Sequence, residues 1–214
     1  MKQITFYLDF ISPYAYLAFE ELPRALMGLS YSVVYQPVVL GALLRHHGSL
    51  GPAEIAGKRE WTYRHVLWLA HSKGVPLQMP ARHPFSSINL LRLAVATDAQ
   101  GLPNRHACET VFKHVWQGGA DAVDAARLQA LTTELAPPRA AGDEAVKAQL
   151  KAHTDAANAR GVFGVPAFEV DGKVFWGLDA LPMLRAYLEG DAWFAQAHWN
   201  LPLGLPSGLP PAKA

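Results

Sequence analysis

The sequence has little that would tie it to an unusual environment or partner. It contains one cysteine, Cys108, which excludes an intramolecular disulfide and Cys-x-x-Cys redox chemistry. Its 19 Lys and Arg balance 18 Asp and Glu without a basic block, which argues against nucleic acid or an anionic membrane as a partner. No apolar run reaches the roughly 20 residues of a membrane-spanning helix, and the start lacks a signal-peptide pattern. We therefore expect a cytoplasmic protein.

The sequence also lacks the spacing of ligand residues that is typical of a metal site. The histidines show no spacing typical of a metal centre, so we predict no bound metal. Those considered are His46, His47, His65, His71, His83 and His114. The single thiol lies in a segment with helical spacing of apolar residues, 106–112. Because a free cysteine is commonly a small buried hydrophobe, we predict that Cys108 lies in the core.

The most informative stretch is residues 10–16, FISPYAY. An apolar, β-rich run over residues 4–10 ends there, and Pro13 is suited to the first position of a helix. Ser12 then falls at the N-cap. The free N–H groups and the positive dipole end of a helix favour an anion at this place. Ser12 is therefore the first candidate for a binding site, although an N-cap serine can also be purely structural.

The segment after Ser12 predicts a β-α-β unit. Residues 13–27 have helical spacing interrupted by Pro23, and residues 31–36 read as a second strand. Two strands joined through one helix are parallel, and the crossover is right-handed. Ser12 would then lie at the carboxyl edge of the sheet, where open α/β folds bind their ligands.

The middle of the chain, from residue 37 to about 160, predicts helices and no strand. Its long proline-rich loop, 74–86, is of the kind that is often functional. We place helices at 53–73, 87–99, 104–117, 124–135 and 143–160. Asn104, Asp124 and Asp143 are their candidate N-caps.

The last part predicts a hairpin and a helix. Asp171-Gly172 separates two alternating apolar runs, which is the strongest short-range signal for a tight hairpin turn. A helix follows at 180–188, and an apolar strap containing Trp193, Phe194 and Trp199 precedes a frayed end. Pro166, at the start of the first hairpin strand, is a candidate for a cis peptide bond.

The resulting order is β-α-β, helices, then β-β-α, which predicts an α/β thioredoxin-like fold with a large all-helical insertion. We divide the chain into a discontinuous thioredoxin-like domain at 1–36 and 161–190, a helical insertion domain at 37–160, and a C-terminal tail at 191–214. No internal repeat is found, which argues against a solenoid.

Five motifs resemble one known family. They are DFISPYAYLA at 9–18, GKR at 57–59, GVPL at 74–77, FGVP at 163–166 and WGLD at 176–179. Over nearly the whole chain the sequence resembles the 2-hydroxychromene-2-carboxylate isomerase family. That family is related to the kappa-class glutathione transferases and the DsbA-type oxidoreductases, and it has a serine where the oxidoreductases have cysteine.

The resemblance implies a glutathione cofactor whose thiolate lies beside Ser12. A serine nucleophile needs an adjacent base, and the motif contains no histidine, so Ser12 is expected to donate a hydrogen bond. The resemblance also implies that Val165 pairs through its backbone with glutathione, and that Trp176, Gly177, Leu178 and Asp179 meet its glutamyl end. Asp179 is expected at a helix N-cap, where it would either face the glutamyl ammonium or serve only as a cap.

Further site residues are carried over in the same way. Lys58 would pair with a carboxylate of glutathione or substrate, unless it is a solvated helix lysine, and Asn89 would bind the substrate unless it is a helix-start residue. Two departures stand out: Leu178 replaces a usually polar residue, and residues 51–54 lack an expected asparagine. Five aromatic residues are candidate walls of an aromatic substrate site, although such residues more often belong to the core: Tyr14, Trp61, Trp68, Phe85 and Trp116.

We therefore predict a glutathione-dependent isomerase that acts on 2-hydroxychromene-2-carboxylate or a similar aromatic-derived acid. The glutathione thiolate would add to a conjugated carbon of the substrate. The carbon–carbon bond would then rotate as a single bond, and elimination would release glutathione. The first alternative is a kappa-like glutathione transferase or peroxidase acting on general electrophiles. The second is a non-catalytic thioredoxin-like binding module. The relatives also suggest a homodimer.

Overall fold

Four strands form one sheet in the computed structural model, which describes residues 1–204, 206 and 208. The strands are β1 (Lys2–Leu8), β2 (Tyr31–Pro37), β3 (Ala167–Val170) and β4 (Lys173–Trp176). Their order across the sheet is β2-β1-β3-β4. β1 and β2 are parallel, whereas β3 runs antiparallel to both β1 and β4. The predicted β-α-β unit and hairpin are therefore confirmed.

Local signals explain both turns of this sheet. The helix that joins β1 to β2, α1 (Pro13–Ala25), begins at Pro13 and has Ser12 as its N-cap. The β3–β4 turn has positive φ angles at Asp171 (50°) and Gly172 (76°), the combination that a tight hairpin turn requires. The Val165–Pro166 bond, which the sequence made a candidate for cis geometry, is cis.

The other helices lie between β2 and β3, except for one after β4. They are α2 (Leu40–His46), α3 (Lys58–Lys73), α4 (Ile88–Ala96), α5 (Arg105–Trp116), α6 (Ala125–Leu135), α7 (Glu144–Ala159) and α8 (Leu181–Glu189). The described residues between the two strands include no strand, as predicted. Asn104 and Asp124 cap their helices by accepting from the backbone N–H of residues 107 and 127.

Three details of the prediction were wrong. Helix α2 was not predicted, and α3 begins at Lys58 because residues 52–54 form a separate 3-10 turn. Asp143 is the N-cap residue of α7 as predicted, although its carboxylate bonds backward to the Ala140 N–H and makes no side-chain cap. Asp179 is not an N-cap, since it lies inside a 3-10 turn and Ala180 precedes α8.

An aromatic cluster joins the sheet layer to the helical region. Phe112 of α5 is fully buried. Its ring centroid lies 4.9 Å from that of Phe10, 5.1 Å from Phe19 and 5.8 Å from Tyr16. Cys108, one helical turn earlier, is also fully buried, and burial raises the pKa of its thiol. The prediction of a core cysteine is confirmed.

The segment after α8 lies against the hairpin. The rings of Phe194 and Trp199 lie 6.0 and 5.4 Å from that of Phe175 in β4, which confirms the predicted apolar strap. Most of the predicted frayed end lies outside the described residues. None of the described helices is long and apolar enough to cross a membrane. No cluster of three potential metal ligands occurs in the same part of the chain.

Replacing Phe112 tests the importance of this cluster. Phe112→Ala should lower the free energy of unfolding by about 3–5 kcal/mol, because it removes a fully buried ring and leaves a cavity. The matched control is Phe163→Ala, whose ring is 44% exposed, and which should cost about 1 kcal/mol or less. Urea unfolding followed by circular dichroism measures both, and equal losses would contradict the role given to Phe112.

Candidate active site at the first strand-to-helix turn

Ser12 lies where β1 gives way to α1 and close to the cis-proline loop. Its Oγ accepts a hydrogen bond from the Ala15 N–H at 3.2 Å, so the predicted N-cap is confirmed. Its hydroxyl also points to the Val165 carbonyl oxygen at 3.4 Å. That distance is long for an O–H···O bond, so the hydroxyl hydrogen is weakly held and free to turn toward a ligand.

Two side chains from the helical region hold the turn before Ser12. Trp116 donates its Nε1–H to the carbonyl oxygen of Phe10 at 2.9 Å. His83 donates its Nε2–H to the carbonyl oxygen of Ile11 at 2.8 Å. Both carbonyls lie within a turn that the protein encloses, where an unpaired oxygen would be costly. These bonds therefore fix the backbone that carries Ser12.

His83 is suited to this task because it stays neutral. Burial lowers the pKa of its imidazole. With Nε2–H donated to Ile11, Nδ1 accepts from the Tyr63 hydroxyl at 2.7 Å. Trp116 is fully buried, so of its two predicted roles the structure shows the one in the core and not a wall of an open substrate site. Its indole serves the backbone of the turn instead.

Asp9 completes the support of this turn. Its side chain is 1% exposed, and its carboxylate accepts from the N–H groups of Ile11 at 3.2 Å and Leu40 at 2.9 Å. Burial raises the pKa of Asp9 to about 6, against the opposing effect of hydrogen bonds from Ser87 and the backbone. Asp9 thus connects the Ser12 turn with the start of α2.

A cavity of about 720 Å³ opens beside the cis-proline loop. It is lined by Val165, Pro166 and the segment 176–179, which includes four of the residues predicted to meet glutathione. Tyr14 and His65 also line it. The structure therefore brings together Tyr14, Val165, Trp176, Gly177, Leu178 and Asp179, as the sequence predicted.

Close packing shapes the loop side of this cavity. Gly177 has a φ of 103°, and a Cβ there would collide with the Asp179 carboxylate folded over it. A Cβ on Gly164 would lie 2.9 Å from the Trp176 indole nitrogen. Trp176 remains 53% exposed and packs against Phe163 at a centroid distance of 4.8 Å. Both glycines therefore let side chains reach the cavity edge.

His65 is a cavity residue that sequence reasoning missed. The Tyr14 hydroxyl lies 3.0 Å from its Nδ1. Its ring is nearly parallel to those of Trp61 and Trp68, with interplanar angles of 8° and 11°. The spacing of an aromatic residue four before and three after it on α3 was the available signal. Other missed lining residues are Glu21, Lys73 and Arg185.

Four of the predicted site residues are not part of the lining of this cavity: Ser12, Lys58, Phe85 and Asn89. Ser12 adjoins the cavity through its contact with Val165, which is a lining residue, and the other three lie as follows. Lys58 is exposed at the first position of α3, and Asn89 is exposed on α4. Phe85 is partly buried and packs its ring 5.9 Å from that of His83. Because His83 bonds to Ile11, Phe85 still lies on the helical side of the Ser12 turn. The roles assigned to these three side chains stay predictions.

Comparison with known proteins gives consistent matches. Residues 3–189 match the model of the DSBA-like thioredoxin domain. A 2-hydroxychromene-2-carboxylate isomerase from Sphingobium xenophagum is 32% identical over 196 residues, covering 87% of this chain and 98% of that protein. The solved structure of a 2-hydroxychromene-2-carboxylate isomerase superposes with a TM-score of 0.76 at 25% identity, covering 95% of this chain and 100% of that one. The thioredoxin-like fold class is thereby confirmed.

A second group of relatives is more distant. Glutathione S-transferase kappa 1 from Rattus norvegicus is 24% identical over 211 residues, which cover 90% of this chain and 92% of that protein. The similarity extends over nearly its full length. This coverage agrees with a common fold for the isomerases and the kappa-class transferases.

The buried carboxyl of Asp9 predicts a pH dependence of stability. Its pKa of about 6 in the folded protein exceeds the usual value near 4, so the folded state keeps a proton that the unfolded chain releases between about pH 4 and 6. The unfolding free energy should therefore fall as pH rises through this window, by up to about 3 kcal/mol from Asp9.

Asp9→Asn should remove this contribution, measured by urea unfolding at half-unit pH steps. In the control, Asp143→Asn at an exposed position, the unfolding free energy should fall with pH as steeply as in the wild type. If it fell equally steeply in Asp9→Asn, Asp9 would not titrate in this range.

Proposed function

This chain belongs to the DSBA-like thioredoxin domain family and, within it, to the 2-hydroxychromene-2-carboxylate isomerases, and we propose that it isomerises such an aromatic-derived acid with glutathione as cofactor. The observation that carries the proposal is the Ser12 hydroxyl at the N-terminus of α1, 3.4 Å from the Val165 carbonyl oxygen. The family supplies the isomerase class. The glutathione dependence and the substrate are our inference.

The cavity has the size and the donor set that glutathione needs. Its volume of about 720 Å³ lies within the usual range for small-molecule sites, about 300–1,000 Å³. The Val165 N–H makes no hydrogen bond to another described residue and can pair with a peptide carbonyl. Asp179 forms no ion pair within the described part of the chain, and its carboxylate is suited to an ammonium group.

The contacts of Ser12 favour a hydrogen-bond donor over a nucleophile. Among the described residues its Oγ forms hydrogen bonds only with the Ala15 N–H and the Val165 carbonyl, and neither is a base that would take its proton. His83 does not serve as that base, because its Nε2–H is engaged by Ile11. Ser12 would therefore turn its hydrogen toward a thiolate.

Bound glutathione would supply a thiolate that adds reversibly to a conjugated carbon, so that the former double bond can rotate. The N-terminus of α1 favours the ionised thiol through its dipole, and Ser12 adds a charge-assisted hydrogen bond. Trp116, His83 and Asp9 keep these donors in place before the substrate arrives. Such preorganisation reduces the reorganisation needed during the reaction.

A glutathione transferase is the second candidate function, because the kappa-class relatives carry that name. The same thiolate site would serve it, with the thiol remaining attached to an electrophile. The cytoplasmic location and the homodimer stay predictions from the sequence.

Ser12→Ala should keep the fold but reduce glutathione-dependent turnover by about tenfold or more, because a hydrogen bond to a charged group is lost. The pKa of the bound thiol, followed by thiolate absorbance in the ultraviolet, should rise by about one to two units. Loss of the N-cap should cost about 1 kcal/mol of stability. Steady-state kinetics measure the loss of turnover, and urea unfolding measures the loss of stability.

The control is Ser30→Ala, which changes an exposed serine before β2 and should behave as wild type. If Ser12→Ala kept both the wild-type turnover and the wild-type thiol pKa, Ser12 would have no role in catalysis.

The two enzymatic candidates differ in the fate of glutathione. With 2-hydroxychromene-2-carboxylate, an isomerase should form product while the glutathione concentration stays constant. With a chloronitrobenzene, a transferase should consume one glutathione for each conjugate formed. Chromatography of both mixtures measures product and thiol together. Consumption of glutathione with the chloronitrobenzene and no turnover of the chromene acid would favour the transferase.

A further inference from the structure

We propose that His65 recognises the α-carboxylate of the γ-glutamyl group of glutathione, together with Asp179, which takes the ammonium of the same group. The inference rests on the proposed glutathione dependence and goes beyond it, because it assigns the zwitterionic end of the cofactor to a particular pair of side chains. His65 would be a specificity-determining residue for the thiol peptide. It would take no part in the chemistry of the substrate.

The cavity places the required groups together. Tyr14, His65 and Asp179 all line it, and so does Val165, whose backbone faces Ser12. The Asp179 charge is close enough to Tyr14 to raise the pKa of the phenol, after the larger effect of burial. A ligand that extends from Ser12 toward the segment 176–179 therefore meets His65 and Asp179 at one end.

The hydrogen bond from Tyr14 determines which nitrogen of His65 can donate. Since the raised pKa keeps the phenol protonated, and His65 Nδ1 is its only hydrogen-bond partner among the described residues, the phenol donates to Nδ1. The neutral imidazole then carries its hydrogen on Nε2. No described residue accepts from Nε2, so this donor remains for a ligand carboxylate.

The neighbours of His65 also hold its ring in place. Trp61 and Trp68 lie four residues before and three residues after it on α3, with ring centroids 6.2 and 6.5 Å from that of His65. Both indoles are more than half exposed, at 66% and 61%. The Tyr14 hydrogen bond restricts the rotation of the imidazole, which reduces the entropy lost on binding.

The two cationic side chains that line the cavity, Lys73 and Arg185, are already paired. Lys73 lies 3.2 Å from a Glu21 carboxylate oxygen, and Arg185 lies 2.7 Å from a Glu189 oxygen. Asp179 lacks such a partner among the described residues. Two side-chain donors of the lining, the His65 Nε2–H and the Trp176 indole N–H, also have no hydrogen-bond partner among the described residues. We pair Asp179 with His65, because the Tyr14 hydroxyl orients the imidazole. An amino acid zwitterion complements this pair.

Binding of three thiol peptides tests the assignment independently of turnover. Glutathione carries both groups, 4-aminobutyryl-Cys-Gly lacks the α-carboxylate, and glutaryl-Cys-Gly lacks the ammonium. Isothermal titration calorimetry would give the Kd of each peptide for the wild type, His65→Phe and Asp179→Asn. The matched control is His71→Phe, which changes an exposed histidine on the same helix that does not line the cavity.

The two variants should lose affinity in different patterns. His65→Phe should weaken glutathione and glutaryl-Cys-Gly about tenfold or more and leave 4-aminobutyryl-Cys-Gly unchanged. Asp179→Asn should weaken glutathione and 4-aminobutyryl-Cys-Gly and leave glutaryl-Cys-Gly unchanged. His71→Phe should match the wild type with all three peptides.

Two results would overturn the inference while the proposed function stands: His65→Phe weakens no peptide, or it weakens all three alike. A wild-type protein that binds none of the peptides would instead overturn the glutathione dependence itself. If His65→Phe does not fold, His65→Gln decides, because its amide can accept from Tyr14 and still donate. It should bind glutathione more tightly than a His65→Ala variant, and equal affinities for the two would reject the assignment.

Discussion

The site depends on two hydrogen bonds that cross from the helical region to the turn before Ser12. Trp116 and His83 each donate a ring N–H to a backbone carbonyl of that turn. The turn is otherwise a short irregular segment between a strand and a helix, and its carbonyls have no strand or helix partners. The helical region is therefore a structural part of the site, since it fixes the direction in which the first N–H groups of α1 point.

The sequence predicts best those turns whose own residues determine the backbone conformation. Ser12 before Pro13 and Asp171 before Gly172 specify their turns almost alone, because each residue type satisfies a backbone requirement at its own position. Helix α2 follows Val39, which provides no side-chain cap, and its seven residues are too few to show a clear period. Its start is held by Asp9, 31 residues earlier, and no local signal can show that.

Side-chain roles in the site were harder to predict because they depend on packing. The aromatic character of Trp116 and His65 is visible in the sequence, but nothing nearby shows that one is enclosed and the other lies at a cavity edge. Similarly, Lys58 and Asn89 follow the family pattern while the structure leaves both exposed. Motif resemblance locates the backbone of the site well, and the burial of individual side chains requires the three-dimensional fold.

Long-range pairing has a kinetic consequence for this protein. β1 pairs with β3 through contacts such as Phe6 with Phe168, and the Ser12–Val165 hydrogen bond joins residues 153 positions apart. Such high contact order delays these contacts, because a long loop must close before they form. A chain emerging from the ribosome would complete its helical region while β1 still lacks this neighbour. The site would therefore form only after the cis-proline loop and β3 have been synthesised and have reached β1.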